Sequence, residues 1–290
     1  MQLKNDHLTL AERGTLISII IYTVIASLKI ILGTLFKSSA LSADGWNNFT
    51  DVLSSVAVFF GIRLAKQPAD EEHQYGHWKV EGISSLMSSF IMCFIGLQVL
   101  FSSFTSLVQQ EEPNFDLSLA AIGIFASALM FATYFYNHRL ANRIQSMGLK
   151  AVAQNNLADA FTSLSTAISI FFAVLFKWYW IDSIMAIFVS AFILNTAFSV
   201  FKESAFALSD GFDTEQLEPF RKLILSHPEI HDVRSIKARH YGANIYVDVT
   251  VLMNAHLTVK ESHDVTETIE KELSEQFGVT FTDVHVEPYE

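Results

Sequence analysis

The chain has 290 residues, 51% of them apolar, with 25 Phe but only 17% charged side chains and a formal net charge of −11. A soluble domain carries roughly 25% charge, so a mean this low points to two unlike parts. Residues 1–207 hold 12 Lys/Arg and 14 Asp/Glu, whereas the last 83 hold 7 and 16, so the tail alone accounts for −9 of the total. An acidic tail argues against nucleic acid as a partner and suits divalent cations. The single Cys, Cys93, excludes an internal disulfide framework and a thiolate zinc cluster, leaving oxygen and nitrogen as metal donors. The first residues contain no short apolar run followed by a small-residue cleavage site, so no removable signal peptide is expected.

About 20 mostly apolar residues cross the ~30 Å hydrocarbon layer, and six stretches meet that length: 14–36, 39–62, 82–108, 117–136, 151–176 and 178–201. The third is the clearest, because no charge falls between Glu81 and Glu111. Lys29 interrupts the first, near enough to its end for the ammonium to snorkel to the interface. Lys4, Arg13, Arg63, Lys66, Lys79, Arg139, Arg143, Lys150 and Lys202 fall on one side of this arrangement, and only Lys37 and Lys177 on the other. Cytoplasmic loops carry the Lys/Arg excess, so a multi-pass protein of the cell membrane with both termini cytoplasmic is expected. The far-side links are very short, as at Lys37-Ser38 and Lys177, or form an acidic turn, Glu111-Glu112-Pro113-Asn114, so the helices they join are antiparallel neighbours.

After Ser209-Asp210-Gly211 the apolar runs shorten. Residues 214–225 are amphipathic, with Thr214 as N-cap, and the pattern stops at His227-Pro228. Residues 233–238 and 245–252 alternate as strands do, Ile245, Val247, Val249 and Val251 on one face and Tyr246, Asp248 and Thr250 on the other. Gly242-Ala243-Asn244 supplies the turn between them. A helix over 259–275 and a strand over 280–286 complete an αββαβ order, which predicts a three-stranded sheet with two helices on one face.

The second span contains Asn47 and Asp51, the fifth Asn155 and Asp159. Residues four apart lie one turn from each other on one helix face, so each span presents an amide oxygen beside a carboxylate. Two such faces opposed make a four-oxygen site. An unpaired charge at membrane depth costs about 2.5 kcal/mol or more, and one divalent cation compensates both acids. The plainer reading is Asn as interhelical glue and Asp in the headgroup layer; the same spacing in two separate spans weighs against it. Asp44, near the start of its span, reads as an entrance or proton-carrying acid. Asp182 and Asn195 in the sixth span read as structural.

With these residues in place the chain resembles the cation diffusion facilitators. The resemblance rests on Asn47-x-x-x-Asp51, Asn155-x-x-x-Asp159, the loop from Gln67-Pro-Ala-Asp70 through His73, Gly76, His77 and Lys79 to Glu81, and Asp210-Gly211, and covers nearly the whole chain. It implies a six-helix transport domain over 1–207 and a cytoplasmic αββαβ ferredoxin-like regulatory and dimerisation domain over 208–290. It also implies a homodimer exporting divalent metal in exchange for protons, with no organic cofactor. Asp70, His73 and His77 correspond to the family's loop metal site, and His231, Asp248, His263, His285 and Glu287 to its cytoplasmic metal cluster. His285 and Glu287, two apart on a strand, share a face. Taken alone, each of these histidines is more often solvated or structural than a ligand, and His240 and His256 have only that reading.

Zinc sites favour imidazole or thiolate, whereas Mn²⁺ accepts carboxylate, carbonyl and water. Zinc-carrying members of the family place His at the first position of one or both pairs; here Asn47 and Asn155 stand there, so Mn²⁺ is expected ahead of Zn²⁺, Fe²⁺ or Co²⁺. The manganese branch often has Asp where this chain has Asn155. Two rivals from other classes are an intramembrane aspartyl hydrolase using Asp51 and Asp159 as a dyad, and a metal sensor anchored by its helices.

Overall fold

The computed structural model describes residues 2–35, 39–109 and 117–289. Six helices come first: α1 (Gln2–Leu35), α2 (Ser39–Ala65), α3 (Lys79–Gln109), α4 (Leu117–Ile144), α5 (Met147–Phe176) and α6 (Trp180–Leu208). Each contains a stretch long and apolar enough to cross a membrane. Several run past the hydropathy boundaries, α1 starting at Gln2 and α6 ending at Leu208, because a membrane helix continues into the headgroup layer, where apolarity no longer marks it. The acidic 111–114 turn and Lys37 lie outside the described residues.

Helix α1 packs along α2 and α4 along α5, while α3 meets both α2 and α5. Small residues make these approaches close, as membrane helices require. A Cβ added at Gly123 of α4 would lie 3.1 Å from Ala167 Cβ of α5, and one at Gly45 of α2 would lie 2.7 Å from Ile30 of α1. The buried side of α5 is built from Gly148, Ala151, Ala153, Ala158, Ala160, Ser163 and Ala167, so neighbours from three sides reach its polar residues. Lys29 departs from expectation. It is 1% exposed, and its Nζ donates to Asn48 Oδ1 at 2.8 Å, because it faces α2, where an amide oxygen accepts the ammonium more directly than the interface does.

The chain divides into two compact units, Met1–Ser204 and Ala205–Glu290. In the second, a short 3₁₀ turn at Thr214–Gln216 leads into α7 (Leu217–Leu225), followed by β1 (Ile230–Tyr241), β2 (Asn244–Asn254), α8 (Val259–Phe277) and β3 (Phe281–Tyr289). The sheet order is β1-β2-β3. β1 runs antiparallel to β2, with Ile236 opposite Val249, and β3 runs parallel to β2, with Val284 beside Val249. Phe220 and Ile224 of α7 and Ile269 and Leu273 of α8 share one core with Val247, Val249, Val251 and Met253, so both helices cover one face. The expected cap at Thr214 is replaced by Asp213, whose carboxylate accepts the Glu215 N–H at 3.0 Å, because the chain enters through a 3₁₀ turn rather than directly into α7.

Candidate metal-transport site

Three helices bring their polar groups to one point in the first unit. Tyr22 of α1 donates its hydroxyl proton to Asp159 Oδ2 and accepts from Asn155 Nδ2 at 3.2 Å. The same Asn155 NH2 group reaches Asp51 Oδ1 of α2 at 3.4 Å. Tyr22, Asp51 and Asn155 are buried and Asp159 is half-buried. One amide and one phenol thus tie together two carboxylates from separate helices, a cluster that is acidic, nearly dry and built from oxygen and amide groups. A buried pair of acids of this kind is compensated by a cation or by protons.

Asn47 is exposed, and Asn48 is the buried amide at this level of α2. At 3.6 residues per turn, Asn47 and Asn48 lie about 40° and 60° to opposite sides of Asp51, so spacing alone does not choose between them; the packing of α1 selects Asn48. The side chain of Asp44 falls outside the described residues. Asp182 is half-buried at the start of α6. One turn from Tyr22, Ser18 accepts from Asn137 Nδ2 at 2.8 Å and from Asn156 Nδ2 at 3.0 Å. Tyr22, Asn48 and Asn156 are buried polar neighbours of this cluster that sequence reasoning passes over, and Lys29 is one that it places at the interface instead. A tyrosine in an apolar span has no periodic signal, whereas a charge inside a span is one, and Lys29 is open to this reading.

Helix α5 is fixed at its start by Glu81 of α3, which is 2% exposed. Its Oε1 accepts from Ser146 Oγ and from Gly148 N at 3.1 Å, placing a carboxylate against the first turn of a helix, where unpaired N–H groups favour negative charge. Ser146 is itself the N-cap, accepting from Leu149 N. Ser146→Ala removes a cap and a donor to a buried carboxylate together, so a loss of about 1–3 kcal/mol is expected. Thermal unfolding of the detergent-solubilised protein measures it, and an unchanged midpoint would show that Glu81 has no anchoring role.

Between α2 and α3, Asp70, His73 and His77 offer ligand atoms that all lie within 4.8 Å of one another, and no other group of three His, Cys, Asp or Glu among the described residues does so. Asp70 Oδ1 accepts from the His73 backbone N–H at 2.6 Å and lies 3.2 Å from His73 Nδ1, while Oδ2 is 3.4 Å from His77 Nε2. His77 Nδ1 faces the Pro68 carbonyl at 3.3 Å. A carbonyl only accepts, so Nδ1 is the donor in that contact and Nε2 is the nitrogen turned toward Asp70, the arrangement common at metal-bound histidines. The His73 backbone N–H, ahead of the His73 ring and Glu72 N–H, holds the Asp70 carboxyl below the ordinary carboxylate range. The loop is shaped by Gly76, whose φ of +81° is left-handed and whose N–H donates to His73 O at 2.8 Å. One carboxylate and two imidazoles suit a borderline divalent ion.

The five tail residues do not converge within one chain. His231 stacks on Tyr289 with ring centroids 3.4 Å apart, and His263 is exposed on α8. Asp248, His285 and Glu287 share the sheet face away from the helices, where Thr250 pairs with His285 and Leu252 with Glu287. Each has an ionisable side chain beside it: Arg239 Nη1 lies 3.4 Å from Asp248, Arg234 pairs with Glu287, and His285 Nε2 stands 3.9 Å from Glu287 Oε1. Of the two histidines read as structural, His240 stacks on Phe212 at 4.9 Å, and burial lowers its pKa.

A bundle of six membrane-length helices with a buried acidic centre, joined to an αββαβ unit, defines the class as a membrane carrier for cations. Residues 15–209 match the family described as Cation efflux transmembrane domain, and residues 212–289 that described as Cation efflux protein, cytoplasmic domain. The chain belongs to this cation efflux, or cation diffusion facilitator, family: it is a multi-pass metal-cation efflux transporter and not an enzyme, which sets aside the hydrolase reading. Among its relatives, the "Manganese efflux system protein MneS" of Bacillus subtilis (strain 168) is 41% identical over 285 residues, covering 98% of both chains. The "Uncharacterized transporter YdbO" of the same organism is 36% identical over 98% of both. A third, the "Manganese efflux system protein MneP", is 25% identical over 97% of both.

Proposed function

We propose that the protein is a homodimer in the cell membrane that exports Mn²⁺ from the cytoplasm in exchange for protons, with both termini cytoplasmic. The observation that carries this reading is the junction of Asp51 and Asp159 through Asn155 and Tyr22. The ion is held by Asp51, Asn155 and Asp159, with Asn47, one turn along α2 and turned in by a rotation of that helix, as the fourth oxygen donor, since the Asn48 oxygen is taken by Lys29. An oxygen-only donor set favours Mn²⁺ over Zn²⁺, and two relatives spanning the full chain are named as manganese efflux proteins. Asp51 and Asp159 take up protons as the ion leaves, with Asp44 as a third acid on the route. Rocking of the helices against one another exposes the site to each side in turn. Asp70, His73 and His77 hold a second ion at the cytoplasmic loop, and His231, Asp248, His263, His285 and Glu287 bind metal between the two tails of the dimer.

The test is transport by purified protein in liposomes, with Mn²⁺, Zn²⁺, Fe²⁺ and Co²⁺ compared side by side, with and without a proton gradient. Mn²⁺ flux is expected to exceed the others and to fall when the gradient is collapsed. Faster Zn²⁺ flux would overturn the choice of ion, and flux indifferent to the gradient would overturn the exchange.

A further inference from the structure

Transport by carboxylates and amides does not use Lys29, a charged group inside the bundle. Lys29 is 1% exposed at membrane depth, and its Nζ donates to Asn48 Oδ1 at 2.8 Å. Asn48 in turn lies three residues before Asp51 on α2, one turn away on the same side of the helix, and both side chains are buried. With its oxygen taken by Lys29, Asn48 has its NH2 for Asp51, so the amide relays one charge to the other. A buried ammonium is expensive in hydrocarbon, and an apolar side chain of equal length would fill the place without that cost.

Helix geometry gives the arrangement a direction. Lys29 lies seven residues beyond Tyr22, about 10 Å along the axis of α1. Asn48 lies three residues before Asp51 on the antiparallel α2, so both are displaced toward the same end of the bundle. In the proposed orientation that is the non-cytoplasmic end. An ion leaving that way passes a fixed positive charge already bonded into the network of the acid that it has just left.

We propose that Lys29 is a positioning residue, a tethered counter-charge that acts through Asn48 to compensate Asp51 in the interval between departure of the divalent ion and arrival of a proton, favouring release and opposing recapture from the far side. The inference rests on the transport reading of Asp51. Lys29 need not touch the ion: a charge that stabilises the ion-free carrier more than the loaded one shifts the balance by that difference. Removing it tightens ion binding and slows turnover, a split that lost packing does not produce.

The experiment is Mn²⁺ titration of the purified full-length protein, with flux in liposomes, for Lys29→Met, Lys29→Gln and Lys29→Arg. The two neutral variants are expected to lower KM for Mn²⁺ about tenfold and to lower kcat by a similar factor, while Lys29→Arg stays within about threefold of wild type. In an Asp51→Asn background, Lys29→Met should leave Mn²⁺ affinity unchanged, because the charge it compensates is gone. A raised or unchanged KM in the neutral variants overturns the proposal, as does an affinity change that persists in the Asp51→Asn background. Should the neutral variants fail to accumulate, Asn48→Ser, which keeps the ammonium and removes the relay, decides: lower KM with lower kcat supports the proposal, and a raised or unchanged KM overturns it. Asp159→Ala tests the transport reading separately: flux surviving in that variant defeats it whatever the Lys29 variants do.

Discussion

Mn²⁺ flux into liposomes is expected to fall to the level of protein-free vesicles in Asp51→Ala and in Asp159→Ala, with both variants reaching the membrane in normal amount. Each substitution takes one of two negative charges from a dry site. Breaking a buried ion pair by removing one partner costs about 3–5 kcal/mol, which at about 1.4 kcal/mol per tenfold is a loss of about two to three and a half orders of magnitude in affinity. The fold should tolerate the change, because the direct partners released are the neutral donors of Tyr22 and Asn155, and Lys29 keeps its bond to Asn48 when Asp51 is removed. Retention of more than about a tenth of the flux in either variant contradicts a shared ion between the two helices.

Asn155→His moves the preference from Mn²⁺ toward Zn²⁺. The Asn155 nitrogen already stands between Tyr22 and Asp51, at 3.2 and 3.4 Å, so an imidazole there presents a ring nitrogen to the same ion. Zinc gains most from an imidazole ligand, whereas manganese is well served by oxygen. The ratio of Zn²⁺ to Mn²⁺ transport is expected to rise by about ten- to a hundredfold, the range over which a single partner tunes a metal site. Asn155→Asp, which adds a second charge on α5, should instead tighten Mn²⁺ by about tenfold without changing the order of the ions. Competition assays in liposomes measure both ratios, and a ratio unaltered by Asn155→His removes Asn155 from the ligand set.

The bilayer makes membrane helices legible, since only a long apolar run survives there, and all six appear where hydropathy places them. The alternation of Val247, Val249 and Val251 gives β2 in the same way, each side chain being at most 2% exposed. Four-residue spacing brings Asp51, Asn155 and Asp159 to notice because an acid in hydrocarbon is costly unless a counter-charge or a proton accompanies it. What escapes the sequence is the choice among neighbours a fraction of a turn apart, as with Asn47 and Asn48. Residues whose role comes wholly from a partner on another helix escape as well: Tyr22 through Asp159, Glu81 through Ser146, Lys29 through Asn48. No local pattern encodes those pairings; they follow from which helices pack together.

The single NH2 of Asn155, shared between a phenol on α1 and a carboxylate on α2, sets a limit on the working cycle. An amide offers hydrogens from one edge and an oxygen from the other, and here the hydrogens are the edge turned toward Tyr22 and Asp51. On the proposed reading, loading an ion requires a half-turn of this one side chain and the rupture of both its bonds, which would make Asn155 a two-position latch across three helices. A carboxylate at position 155 would bind the metal more strongly, but it would have no such latch to open.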